Sequence, residues 1–309
     1  MKNKLPAVCA ILATTLFWGG SYSSTKVLLS SLRPEQIAFC RLVISCLIFS
    51  FLFLYTNKIG IAKKDLLRVI AGGLFGNFFY FLLENNGLLF TTASMGSLII
   101  ATIPVLDAVA GAIIFREKNS TTRWLGVLLS FLGVYLIIRT GSNGKLSLTN
   151  LKGNLLVFGA ACTWVIYTRI NEPLITLYDS ITINLYQVAV GMISLSPLAL
   201  PLKNSKIILQ NTVALNLLYL GICCSAIAYF LYLYALKVLG TTAVTSFLNL
   251  VPVFGVLGGA LILQETLTTI QLVGAAIVIC GVSLVTMAAK TSLAAPSGST
   301  PESVAIKGD

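Results

Sequence analysis

Along the chain, long apolar runs alternate with short polar breaks rich in turn formers. A helix of about 20 apolar residues crosses a hydrocarbon layer of roughly 30 Å, and ten runs of that kind are present. They cover Pro6–Leu29, Glu35–Thr56, Leu66–Leu89, Ala93–Phe115 and Arg123–Arg139, then Gly153–Thr176, Asp179–Leu200, Thr212–Leu236, Thr241–Leu263 and Thr268–Ala289. The separators include Leu32–Arg33–Pro34 and Lys203–Asn204–Ser205, short turn-forming stretches. The pattern predicts an all-α integral membrane protein with ten transmembrane helices. It divides into a five-helix unit over residues 1–139, a polar linker over 140–152, a second five-helix unit over 153–289 and a disordered tail over 290–309, where Pro296, Gly298, Ser299 and Pro301 fall.

Composition sharpens this. Of 309 residues, 57% are hydrophobic and 10% charged, with a mean hydropathy of +0.92, against about 25% charged in soluble domains. A soluble fold of this size cannot hide so much apolar side chain, and disorder, nucleic-acid binding and a secreted disulfide scaffold are excluded with it. The net charge of +11 reads as a placement signal around the spans. The segments on the N-terminal side of the membrane hold Lys2, Lys4, Lys58, Lys63, Lys64, Arg68, Arg116, Lys118, Arg123, Arg169, Lys237, Lys290 and Lys307. Opposite them stand only Arg33, Arg139, Lys145, Lys152, Lys203 and Lys206. The positive-inside rule therefore predicts a multi-pass protein of the inner (plasma) membrane with both termini cytoplasmic. Lys2 and Lys4 before an apolar run imitate a signal peptide, but nine further spans favour an uncleaved first helix.

The two halves resemble each other. At a shift of 148 residues Pro104 meets Pro252, Gly111 meets Gly259, Glu117 meets Glu265, Gly126 meets Gly274 and Gly133 meets Gly281; Gly73 meets Gly221 at the same shift, and Trp18 meets Trp164 at 146. Five spans per copy is an odd number, so the copies are expected upside down relative to each other. The basic Arg116–Arg123 loop against the uncharged-to-acidic Gln264–Gln271 loop agrees. Inverted repeats with a site at their interface are the build of many secondary transporters.

Here a family resemblance becomes specific. Phe17–Trp18–Gly19–Gly20, Ala38–Phe39–Cys40–Arg41, Ile103–Pro104–Val105 running to Glu117, and their second-half echoes Val251–Pro252–Val253 to Glu265, Gln271–Leu272–Val273–Gly274–Ala275 and Gly281–Val282 resemble the drug/metabolite transporter superfamily, in particular its EamA-type ten-span members. The resemblance covers about residues 6 to 289. It implies a central cavity lined by the first, third and fourth spans and their counterparts, with helices crossing in a basket. Relatives carry amino acids, nucleosides, sugars, vitamins and drugs, so it does not name a substrate.

Polar stripes on apolar helices face protein or water, because lipid cannot satisfy them. The cavity candidates are Trp18, Ser21 and Thr25 on the first span; Asn77, Tyr80 and Glu84 on the third; Trp164 and Tyr167 on the sixth; Ser225 and Tyr229 on the eighth; and Asn249 on the ninth. Interhelical hydrogen bonding explains any single Ser, Thr or Asn equally well. Charges at bilayer depth mark sites by default. Arg41, Glu84 and Lys26 share one level near the outer face. Arg41 and Glu84 either form a locking ion pair or grip a substrate's carboxylate and amine, and Lys26 is expected to snorkel outward. Asp107 has Gly255 as its counterpart. It is either a proton-coupling acid or a hydrogen-bond donor to a neighbouring helix. Pro104 and Pro252 are expected to bend their helices, and Glu117 and Glu265 to serve helix ends. The small multidrug relatives carry an essential acid in their first span, and this first span has none.

The chain has no histidine, no GxSxG and no Walker-type loop, which argues against Ser-His and zinc chemistry and against ATP hydrolysis. Its seven cysteines lie inside spans with no CxxC, so neither a metal site nor a disulfide framework is supported, and no cofactor is called for. The expectation is a secondary transporter, an exporter of small metabolites such as amino acids or related amphipathic compounds, possessing a small-molecule substrate, the lipid bilayer and protons as partners. An uptake permease for a nucleoside or vitamin, or a passive channel, are the alternatives; an intramembrane enzyme is disfavoured.

Overall fold

The computed structural model describes residues 4–56, 60–114, 116, 120–139, 148–200, 208 and 210–294. The described residues are helical almost throughout. The helices are labelled α1 (Leu5–Leu28), α2 (Pro34–Tyr55), α3 (Lys63–Phe90), α4 (Ala93–Ile114), α5 (Thr121–Arg139), α6 (Leu148–Leu177), α7 (Ser180–Ala199), α8 (Asn211–Leu239), α9 (Thr241–Phe247, a 3-10 turn Leu248–Leu250, and Val251–Leu263) and α10 (Thr269–Ala294). Six of them, α1 to α4, α7 and α8, are long and apolar enough to cross a membrane. Shorter apolar stretches fall in α5, α9 and α10. Two boundaries differ from expectation. Helix α6 starts inside the expected linker, and α10 runs into the expected tail as far as Ala294; Glu117 lies outside the described residues.

Helix ends follow local chemistry. Pro34 opens α2, where its missing N–H costs nothing, and the Arg33 amide donates to Gln36 Oε1 at 3.1 Å in a capping box. Asp179 caps α7 by accepting from the amides of Ile181 at 2.9 Å and Thr182 at 3.2 Å. Gly240 closes α8 at φ +81, a backbone region open to glycine without strain.

The interior carries matched irregularities. Helix α3 widens to a π-helix over Leu74–Phe79, and α8 does so over Tyr219–Ile227. Helix α4 breaks at Ala101–Thr102, and α9 breaks at Leu248–Leu250. The prolines explain the second pair of breaks in a way that differs from the expected kink. Pro104 and Pro252 each stand in the first turn of the helical segment that follows the break, so they start a segment rather than bend one from within.

Contacts are reciprocal as well. A Cβ on Gly126 would meet the carbonyl of Gly281 at 2.6 Å, and one on Gly133 would meet that of Gly274 at 2.7 Å. These are the same pair of positions exchanged between halves, and they bring α5 and α10 backbone to backbone. Gly126→Val is therefore expected to cost about 3 kcal/mol by overpacking. A detergent melting curve identical to wild type would contradict the contact.

Candidate functional site

The sequence packs its aromatic residues where the two halves meet. Trp18 of α1 and Trp164 of α6 stand edge to face with ring centroids 5.0 Å apart. Tyr229 lies 5.6 Å from each indole, and Tyr80 lies 5.1 Å from Trp164. The π-helical segments serve this cluster by offering backbone carbonyls sideways. Trp18 Nε1 donates to the Cys224 carbonyl at 3.0 Å, and the Tyr229 hydroxyl donates to the Gly76 carbonyl at 3.1 Å. Residues 76 and 224 are themselves related by the shift of 148.

These rings wall a narrow, partly open pocket to which seven helices contribute. Trp18, Ser21 and Tyr22 come from α1, Arg41 from α2, Tyr80, Phe81 and Glu84 from α3, Ile100 and Ile103 from α4, Trp164 from α6, Tyr229 from α8, and Leu248 and Val251 from α9. Few polar groups on a mainly aromatic and aliphatic wall is the usual makeup of a small-molecule site.

Two charged groups line it, and they are not paired with each other: no nitrogen of Arg41 comes within 4.0 Å of a Glu84 oxygen. The expected locking pair is absent because each group has other partners. Arg41 is 2% exposed. Its Nε donates to Ser225 Oγ at 2.8 Å and its guanidinium lies 4.1 Å above the Phe81 ring, while Nη1 is buried without a partner. Glu84 Oε1 accepts from the Tyr80 hydroxyl at 2.8 Å, and Tyr22 faces the same carboxylate. The cavity thus presents a cation and a carboxylate held apart, with an aromatic box beside them.

The other candidates lie elsewhere. Asn77, Tyr167, Ser225 and Thr25 are buried beside the cavity and do not line it, and Asn249 is half-buried with its Oδ1 unpartnered. Lys26 does not snorkel. Its ammonium turns inward to the carbonyls of Leu88 and Thr91 and so closes the C-terminal end of α3. Asp107 faces a cation on another helix: Arg169 Nε of α6 sits 2.7 Å from its Oδ1. Arg169 Nη1 also approaches Glu172 Oε1 at 3.7 Å, and that same oxygen accepts from the Thr241 hydroxyl at 2.8 Å. At the opposite end, Glu265 accepts the amides of Ala93 at 2.8 Å and Ser94 at 2.9 Å, capping α4.

Sequence reasoning missed Tyr22, Phe81 and the aliphatic lining. Phe81 had a usable signal, standing four residues after Asn77 and three before Glu84 on the face already marked as polar. Ile100, Ile103, Leu248 and Val251 had none, since an apolar residue facing a cavity is indistinguishable in sequence from one facing lipid.

The model of the EamA-like transporter family matches residues 5–139 and again 151–287. The chain belongs to this family. An uncharacterized transporter of Archaeoglobus fulgidus is 33% identical over 93% of this chain and 98% of its own length. A probable amino-acid metabolite efflux pump of Salmonella typhimurium is 26% identical over 87% of this chain and 91% of its own. A solved crystal structure shares the fold with a TM-score of 0.66 at 17% identity, covering 93% of this chain and 98% of that one. With its apolar helices, this EamA-like chain is a multi-pass membrane protein of the transporter type, consistent with the drug/metabolite transporter superfamily.

Proposed function

We propose that this EamA-like transporter is a secondary active exporter of a small amphipathic metabolite of the amino-acid class. In this reading the ten helices are ten spans, arranged as two inverted five-helix repeats in the plasma membrane with both termini in the cytoplasm. Substrate binds in the aromatic cavity between them, and one repeat rocks against the other to expose it on alternate sides. The family match to both halves, the paired π-helices and breaks, and the exchanged glycine contacts support the duplication.

The observation that carries the substrate class is the separation of Arg41 from Glu84. A buried guanidinium edge without a partner suits a carboxylate, while Glu84 and the surrounding rings suit an ammonium. A zwitterion with an apolar body satisfies both at once. The efflux-pump relative supports the same class.

Protons are the proposed coupling ion and Glu84 their carrier, since Asp107 is committed to Arg169. Proteoliposomes loaded with a labelled L-amino-acid mixture test this. An imposed proton gradient should drive counter-movement of part of the mixture, and Glu84→Gln should remove the response to the gradient, with exchange weakened by loss of the ammonium contact but still measurable. No movement of any component defeats the transport reading; gradient-driven movement by Glu84→Gln defeats the coupling role.

A further inference from the structure

Two buried polar pairs occupy equivalent places in the two halves. Arg41 and Gln187 are related by the shift of 146, and Ser225 and Asn77 by the shift of 148. The helices that carry them also meet alike. A Cβ on Gly221 of α8 would strike the side chain of Ile44 on α2 at 2.6 Å, and one on Gly73 of α3 would strike that of Val190 on α7 at 2.7 Å; 44 and 190 again differ by 146.

Besides their residue types, the two places differ in their bonding. In the first, Arg41 Nε and Ser225 Oγ are bonded at 2.8 Å. In the second, no bond joins the pair. Gln187 turns away to donate to Asn171 Oδ1 at 3.0 Å, leaving its own Oε1 unpartnered. Asn77 has neither its oxygen nor its nitrogen paired, although it is 1% exposed. Asn77 lies against Gly191, one helical turn from Gln187, with 2.4 Å between the Asn77 Cβ and the place a Cβ on Gly191 would take. A side-chain amide left unsatisfied in an apolar interior is costly, and native structures rarely keep one without a use.

We infer that Asn77 and Gln187 hydrogen-bond to each other in the opposite-facing state of the transporter, where the Arg41–Ser225 bond opens. This rests on the inverted-repeat, alternating-access reading above. In such a carrier each half adopts in one state the conformation its partner holds in the other, so a contact made at one place and open at its equivalent exchanges roles. The exchange has an energetic purpose. Each state satisfies one buried pair and strands the other, which keeps the two states near in free energy and the cycle reversible by a weak driving force. It also frees the Arg41 guanidinium from Ser225 in only one of the two states, coupling its grip on a substrate to the side that is open.

Double electron–electron resonance in lipid nanodiscs tests this, with spin labels on unnatural amino acids so that the native cysteines stay in place. One label pair joins Ser30 and Thr266 near the Glu265 cap, the other joins Ser120 and Lys237 at the Asp107 end. Wild type should give two distance populations for each pair; a single population at both ends overturns the alternating-access reading itself. Given two, Ser225→Ala should deplete the present state and Asn77→Ala the opposite one, each by roughly fivefold, the loss of one buried hydrogen bond. Asn77→Ser, which supplies the hydroxyl found at the equivalent place, should restore much of the balance. Shifts of the same sign, or no shift from Asn77→Ala, overturn the pairing.

Discussion

Arg41→Gln abolishes high-affinity binding of a carboxylate-bearing substrate, with affinity falling by roughly a hundredfold, about 3 kcal/mol for a charge-assisted pair in a water-poor site. The side chain is the only cation lining the cavity described. Its position is fixed on two sides, by Ser225 at Nε and by the face of Phe81 beneath the guanidinium, so its remaining edge meets a ligand with little loss of side-chain freedom. Arg41→Lys keeps the charge and loses the planar fork, and should fall between wild type and Arg41→Gln. The deciding comparison uses an amine that lacks the carboxylate. If Arg41 binds that carboxylate, the decarboxylated analogue binds wild type and Arg41→Gln alike. If the variant loses both ligands equally while its melting temperature drops, Arg41 holds the fold and the carboxylate assignment is wrong.

Different parts of the molecule were legible to different degrees, for physical reasons. Helices were readable because a bilayer demands that backbone groups bond within the segment, and apolar length alone then locates them. Their ends were less so: α6 begins at Leu148 and α10 ends at Ala294, since polar residues continue a helix as readily as they flank one. Polar stripes led to Trp18, Ser21, Tyr80, Glu84, Trp164 and Tyr229, all on the cavity wall. The same stripes also led to Asn77 and Ser225, which lie behind it, because a stripe says that a face avoids lipid and not what it meets instead. Partners of the charges were least legible. Lys26 reaches carbonyls at the C-terminal end of α3 and Asp107 reaches Arg169, and nothing in spacing along the chain reports a neighbour on another helix. In sequence Arg169 reads as a membrane-edge anchor, although its side chain is only 17% exposed.

Asp107→Ala should destabilise the protein more than any other single charge removal among the residues described. The Asp107 and Arg169 side chains are 12% and 17% exposed, so loss of the acid removes the 2.7 Å ion-pair partner of a largely buried cation. Removing one partner of a buried pair costs about 3–5 kcal/mol. Glu172, 3.7 Å from Arg169 Nη1, compensates in part, which puts the expected loss near the lower figure and the fall in melting temperature at roughly 6–10 °C. Removing both charges, as in Asp107→Leu with Arg169→Met, should recover most of that stability, since apolar residues of similar volume commonly replace a buried pair without cost. Transport should not recover in parallel. The network ties α4 to α6 through Asp107 and Arg169, and α6 to the start of α9 through Glu172 and Thr241, so it crosses between the two halves at the end opposite the Glu265 cap. A stable double variant with its halves no longer fastened there should turn over with altered rates in both directions, read by influx and efflux in the same liposomes. If the double variant regains both stability and wild-type rates, the pair serves folding alone and the movement of the halves does not pass through it.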